Sequence, residues 1–467
     1  MRLWIGFVAL IAVPLFGANE LLIKFKDGRV PVDFLARYGG TLSSISPDSQ
    51  AYKWTSPIGA RIDEFQDDSS IALVQKNHAI HLMSNPSLER NRAALLKLLD
   101  DSGIERGPAY EDNPKIENPV ESSQIEDPQL SEAWGLSQVG VPNAWKQTQQ
   151  GSSVVVAVSD TGVDYNHEDL IKNMWRNPAE TPGDGIDNDG NGYVDDIVGW
   201  DFAKKDALPY DLSMSIGDIL FKGGNPGHGS HVSGVIASQL NNGKGAAGVA
   251  PKASIMAVRF ISEEGGGDTA GAIGAIDYAV KNGAQVINAS WGSEGAEEGD
   301  ALLRESIQRA EAKGVIFVAA AGNGRSNGMT EPTGYNNDTD PKPVYPCAYP
   351  YTNVVCVAAT ANTDTLAPFS NFGKKTVMVA APGIKILSTV PGNRYQHTII
   401  DLGQIKVTWD GTSMSAPFVS GALAVLISQN PSSTYTEIIE KLTQTTLELS
   451  DLKGKVGTDA RLDLGHL

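Results

Sequence analysis

Between about residue 150 and residue 380 the chain alternates two kinds of segment, and that alternation limits its fold more than any single residue does. Continuous apolar runs, Val154 to Val158, Ser254 to Val258, Val286 to Ala289, Val315 to Ala320, Val354 to Ala358 and Thr376 to Val379, are separated by helical stretches such as Ala270 to Lys281 and Ala301 to Lys313. A strand that is apolar on both faces must be covered on both faces, and strands joined through helices run parallel. The expected fold class is therefore α/β, a doubly wound, mostly parallel sheet with helices on both faces. Ligands of such sheets bind beyond the carboxyl ends of the strands.

The front of the chain has another character. Leu21 to Phe25 reads as a strand, and Ile71 to Met83 as two short strand halves around a turn, enough for a small α+β unit over 19–83. Pro86 to Asp101 is a charged, amphipathic helix candidate, and Ser102 to Asp127 is polar, acidic and Pro-rich, which predicts a linker. Residues 1–18 carry the marks of a signal peptide: Arg2, the apolar run Leu3 to Leu15, then Gly17-Ala18. That run is shorter than the roughly 20 residues a membrane span needs, so the expectation is an exported, extracellular protein with no membrane association after signal removal. A net charge of −18 excludes the basic stripe of a nucleic-acid binder and suits a protein that holds cations. Cys347 and Cys356 bracket a Pro-rich turn. In an exported chain they are expected to pair as a disulfide rather than remain two thiols.

Three short motifs carry chemistry. Gly411-Thr412-Ser413-Met414-Ser415-Ala416-Pro417 delivers the Ser413 hydroxyl to the first turn of an apolar helix, where free N–H groups and the helix dipole favour negative charge. Asp160 ends the apolar run Val154–Val158 in Asp160-Thr161-Gly162, and His228 opens His228-Gly229-Ser230-His231-Val232. Alone, each is weak: a strand-ending Asp caps turns, and two histidines three apart also suit a metal pair, or one solvent-exposed and one packed histidine.

Together the three motifs, in the order Asp…His…Ser, resemble the signatures of the subtilisin-like serine peptidases, the subtilases. The resemblance covers roughly 127–467, and it implies peptide-bond hydrolysis of polypeptide substrates. Ser413 would be the nucleophile, His228 the general base and acid, and Asp160 the group that orients the imidazole, with His231 structural. Val315 to Gly324 resembles the family's oxyanion segment, so Asn323, beside Gly322, would donate to the developing oxyanion. Substrate would add as a strand between Gly265-Gly266-Gly267 and Ser290-Trp291-Gly292. Val344 would sit at the base of the primary specificity pocket, leaving it narrow and apolar, for medium apolar side chains. Asp-Thr-Gly is also an aspartic-protease signature, with Asp101-Ser102-Gly103 as partner, but that reading leaves His228 and Ser413 idle.

Two cation sites are expected. Asp184 to Asp196 places oxygen ligands at alternate positions with Gly192 at the turn, the start of an EF-hand-type loop that lacks the terminal Glu. Asp187, Asp189, Asn191 and Asp195 are its candidates, with the Tyr193 carbonyl. The alternative is a solvated Gly/Asp-rich loop. By resemblance, Asp169 and Asn242, joined by Asp127, would form a second, structural calcium site.

The unit at 19–83 resembles the subtilase propeptide, which implies a folding template and intramolecular inhibitor whose tail, Ile71 to Met83, lies in the groove. A long segment, 84–126, then separates Met83 from the conventional mature start. Two schemes stay open, a first cut near Met83 with later trimming in the linker, or a single cut in the linker. Residues 203–224 read as an insertion ahead of His228, a lid or an exosite. The chain as a whole is expected to be a secreted, monomeric serine endopeptidase, made as a self-processing zymogen and stabilised by calcium. The rival is a catalytically dead, peptide-binding protein of the same fold.

Overall fold

The computed structural model describes residues 19–56, 59–102, 115–119, 125–215, 217–219, 224–295, 300–326 and 332–467, without the side chains of 96 and 98–102. The expected signal segment, most of the acidic linker and part of the 203–224 insertion lie outside the described residues.

Among the described residues, nine strands form the central sheet, in the order Thr446–Glu448, Ala460–Leu462, Val379–Pro382, Val354–Thr360, Ile316–Ala320, Val286–Ala289, Val155–Asp160, Ser254–Arg259 and Gly199–Asp201. Every pairing is parallel except that of the first two strands. The apolar runs supply both faces in turn, as a period of two requires. Val156, Val158, Val286, Ile316 and Val318 enter the core shared with helices His228–Ala237 and Thr412–Gln429. Ala157, Ile287, Phe317 and Ala319 enter the core shared with helices Thr269–Lys281 and Ala301–Ala312. The strand expected at Thr376–Val379 starts later, at Val379. Val377 is held outside the sheet, its N–H donating to Gly373 and its carbonyl accepting from Gly457. Cys347 and Cys356 form a disulfide.

The front unit is a four-stranded antiparallel sheet, ordered Thr41–Ser46, Ala51–Thr55, Glu20–Phe25, Ile71–Lys76. Leu21, Ile23 and Phe25 point into its own core with Phe34, Trp54 and Phe65, while Leu22 and Ala51 point the other way, into the second core of the large sheet. This face rests on the two helices of that side. Ser46 Oγ donates to Asp277 at 2.5 Å, and Lys24 pairs with Glu305 at 2.5 Å. Gln75 Oε1 accepts from Leu302 N and Asn77 Oδ1 from Ala270 N, so the front unit caps both helix starts, where N–H groups have no partner in the helix.

Candidate active site

Asp160, His228 and Ser413 converge at the carboxyl edge of the sheet from three separate elements. Asp160 ends the strand Val155–Asp160, and its Oδ1 lies 2.8 Å from His228 Nδ1. The same oxygen accepts from Thr161 N at 2.8 Å. His228 is the first residue of its helix, and its own N–H is held by Asn225 Oδ1 at 2.8 Å. Asn225 in turn donates to Asp211, a fully buried carboxylate that also accepts from Thr161 Oγ1 and from Ser230 N. Asp211 therefore ties the aspartate's loop to the histidine's helix. Its place within the 203–224 stretch gave no sign of this, since neither partner is near it in sequence.

Ser413 is the second residue of the helix Thr412–Gln429, which is apolar all round and buried over most of its length. Pro417 inside this helix has no N–H to give to the residue four earlier, which is Ser413. The freed Ser413 carbonyl accepts instead from Ser290 Oγ at 2.9 Å, and Ser413 Oγ donates to the Ser290 carbonyl at 3.0 Å. The proline thus makes room for a two-way link between the serine and one wall of the groove. His231, expected to be structural, sends Nε2 toward the Ile386 carbonyl at 3.0 Å and stacks on Trp409 at 4.1 Å. Burial pushes its pKa down to about 3, so it stays neutral.

Asn323 follows the strand Ile316–Ala320, and its orientation is set by two donors. Thr412 N and Thr412 Oγ1 each donate to Asn323 Oδ1 at 2.8 Å, which turns Nδ2 toward the groove. Gly411 precedes at φ 154°, and a Cβ there would stand 3.0 Å from Asn323 Nδ2.

The groove holds the chain's own residues 79–84. The strand Ala79–Leu82 pairs antiparallel with Gly266–Asp268 on one side and with Trp291–Glu294 on the other, His81 lying opposite both Gly266 and Gly292. Leu82 N donates to the Gly265 carbonyl at 3.0 Å. Gly267 contacts Phe260, and a side chain at Gly292 would strike Val344 and the Met83 methyl, so both edges need glycine for close approach. Val344 borders a pocket of about 120 Å³ with Gly292, Gly322, Tyr335 and Asn371, and Met83 and Ser84 line it from the side of the added strand. Asn323 Nδ2 donates to the Ser84 carbonyl at 2.9 Å.

The two expected cation sites differ. Asp127 accepts from the N–H groups of Asn241, Asn242 and Gly243, and Asn242 Nδ2 donates to Asp169 Oδ1 at 2.7 Å. The other Asp169 oxygen is buried and has no hydrogen-bond partner among the described residues. Burial pushes this carboxyl up to about 8, against the hydrogen bond from Asn242. A buried carboxylate with an orphaned oxygen, beside a second carboxylate and an amide oxygen, fits a hard cation. In the 184–196 loop, Asp187 and Asp189 come together with Glu180, their ligand oxygens all within 4.8 Å of one another. Glu180 lies before the motif and carries no spacing signal. Asn191 Oδ1 accepts from Tyr193 N, and the Asp195 carboxylate accepts from Gly183 and Gly185 N–H.

A doubly wound sheet with these groups at its carboxyl edge, beside a groove that accepts an added strand, defines the α/β serine peptidase class. The profile of the subtilase family matches residues 151–463. The chain is 35% identical over 307 residues to the thermophilic serine proteinase of Bacillus sp. strain AK1, covering 66% of this chain and 60% of that one. It is 32% identical over 318 residues to subtilisin E of Bacillus subtilis, covering 68% and 67%. With thermitase of Thermoactinomyces vulgaris the figures are 34% over 302 residues, covering 65% and 84%. Against subtilisin-like protease 2 of Plasmodium falciparum it spans only 21% of the relative's length. The chain belongs to the subtilase family of serine peptidases.

Proposed function

We propose that this chain is an exported serine endopeptidase, made as a zymogen that cuts itself and is stabilised by calcium. The observation that carries the reading is the Ser84 carbonyl, 2.9 Å from Asn323 Nδ2 in a groove that also holds Ser413 and His228. In domain terms, 1–18 is the signal peptide, 19–83 the propeptide, 84–126 a processed segment and 127–467 the catalytic domain, which works as a monomer.

The chemistry follows from the geometry. Ser413 Oγ rotates from the Ser290 carbonyl toward His228 and attacks the substrate carbonyl as His228 Nε2 takes its proton. Asp160 holds the other imidazole nitrogen and stabilises the imidazolium. The oxyanion is met by Asn323 Nδ2 and the Ser413 backbone N–H, both fixed before reaction begins. His228 then protonates the leaving amine, and water repeats the sequence on the acyl-enzyme. Polypeptide substrates lie as a strand between Gly265–Gly267 and Ser290–Gly292, with a medium apolar side chain beside Val344. Asp127, Asp169 and Asn242 would hold one calcium ion and Glu180, Asp187 and Asp189 another, each neutralising clustered carboxylates and cross-linking loops.

The amide contact favours a first cut at Ser84–Asn85. The place of the Met83 methyl against Gly292, beside Val344, favours Met83–Ser84 instead. Fluorophosphonate labelling of wild type against Ser413→Ala tests the enzyme, and amino-terminal sequencing of the processed chain tells the two bonds apart. Absence of Ser413-dependent labelling in processed protein would overturn the reading.

A further inference from the structure

Downstream of the groove the chain does not leave the catalytic domain. It turns at once into the helix Pro86–Ser102. Asn85 caps this helix, its Oδ1 accepting from Leu88 N, and its Nδ2 donates to the carbonyls of Thr408 and Asp410, next to Gly411 and the active serine. Ser87 Oγ accepts from Thr408 N at 3.1 Å, and Asn91 Nδ2 donates to the Lys406 carbonyl at 3.1 Å. Leu88 and Leu95, two turns apart and so on one face, are buried against Ile219, Ile400 and Val407 in an apolar cluster separate from the main cores. The platform is built by Met214, Ile219 and the hairpin Thr398–Asp401/Lys406–Thr408.

We propose that this helix is a second inhibitory element, resting on the zymogen reading above. It covers the leaving-group side of the groove, stays docked after the first cut, and admits long substrates only when a second hydrolysis (one peptide bond, one water) between the helix and Asp127 releases it. The argument is one of connectivity. The anchors Asn85, Ser87, Leu88, Asn91 and Leu95 lie at or beyond either bond considered for the first cut. That cut makes the front unit a separate chain, which dilution can remove. The helix remains covalently joined to the catalytic domain through Asp127, whose carboxylate is fixed on Asn241–Gly243. A tethered ligand of this kind sees an effective concentration that dilution does not change.

The test uses the full chain after its first cut, with two substrates. A short acyl p-nitroanilide fills only the acyl side of the groove, while a quenched peptide extends several residues past the scissile bond. The helix-retaining species should hydrolyse the first normally and the second about 10-fold more slowly than the species that has lost 85–126. Leu88→Asp with Leu95→Asp should restore the quenched-peptide rate and leave the anilide rate unchanged. Asn85→Ala with Asn91→Ala, which spares the apolar contacts, serves if the first pair misfolds. Equal rate ratios with and without the helix, or loss of 85–126 in the same step as 19–83, would overturn the proposal. Ser413→Ala silence on both substrates tests the underlying enzyme reading separately.

Discussion

The two sides of Ser413 are occupied by different kinds of structure. On the acyl side, Ala79–Leu82 is held by main-chain hydrogen bonds to two strand edges. On the leaving-group side, the helix Pro86–Ser102 is held by side chains, two leucines, two asparagines and a serine placed on an irregular platform. Main-chain pairing accepts many sequences, because every residue carries the same donor and acceptor. Side-chain docking accepts few. One side is thus suited to general substrate binding, and the other to one particular occupant.

The largest effect expected is that of Ser413→Ala, which leaves strand and helix joined. Hydrolysis should fall by several orders of magnitude, about 10⁶-fold by a figure that comes from a subtilisin, and intact chain should accumulate on a gel. Asn323→Ala should lower kcat about 10²–10³-fold, a range also measured on a subtilisin. The first cut should slow in proportion, so uncut chain should be seen with both sides occupied. Met83→Asp disturbs the strand side alone. A charge beside Val344 should slow the first cut about 10–100-fold, read by the time course of front-unit release, without altering hydrolysis of an added peptide once the cut is complete.

The smallest expected effect concerns the far anchor of the helix side, at Asp127 and Asp169. The Asp169 carboxyl keeps its proton up to about 8 in the folded chain, whereas an unfolded aspartate loses it near 4. Between those values the folded state binds more protons, so its stability declines as pH rises. Calcium, by favouring the ionised carboxylate, should abolish that slope. In EDTA the Tm should drop by roughly 2–4 °C between pH 5 and pH 8, and with calcium it should stay level. A level Tm in EDTA would remove Asp169 from the cation site.

This contrast between the two sides also explains what the sequence could show. The parallel sheet was legible because a strand buried on both faces must be apolar throughout, as at Val286–Ala289. The edges Gly265–Gly267 and Ser290–Gly292 came from the resemblance rather than from spacing, and the strand that pairs with them in this structure is the chain's own Ala79–Leu82. The helix Pro86–Ser102 was legible as a helix but not as a docked one. Its partners, Ile219, Ile400 and Val407, come from short segments with no period of their own. Glu180 and Asp211 were missed because neither belongs to a motif: Glu180 stands just ahead of the loop whose Asp187 and Asp189 it joins, Asp211 binds Thr161 and Ser230 from outside both of their motifs, and a lone carboxylate gives no spacing to read. The linker expected to begin at Ser102 was placed by composition, and most of it lies outside the described residues.

The hydrogen bonds from Thr412 to Asn323 bear on more than position. A carboxamide has two ends of opposite polarity and nearly equal shape, and half a turn about its last bond exchanges them. With Thr412 N and Oγ1 both fastened to the oxygen, only the amino end can face the groove. Thr412→Val would leave a single latch, and a fraction of molecules would offer a carbonyl dipole to the developing negative charge. Such an enzyme should lose turnover while binding substrate as before, a drop in kcat at constant KM. On the proposed mechanism, the residue beside Ser413 thus sets the sign of the field in which that serine works.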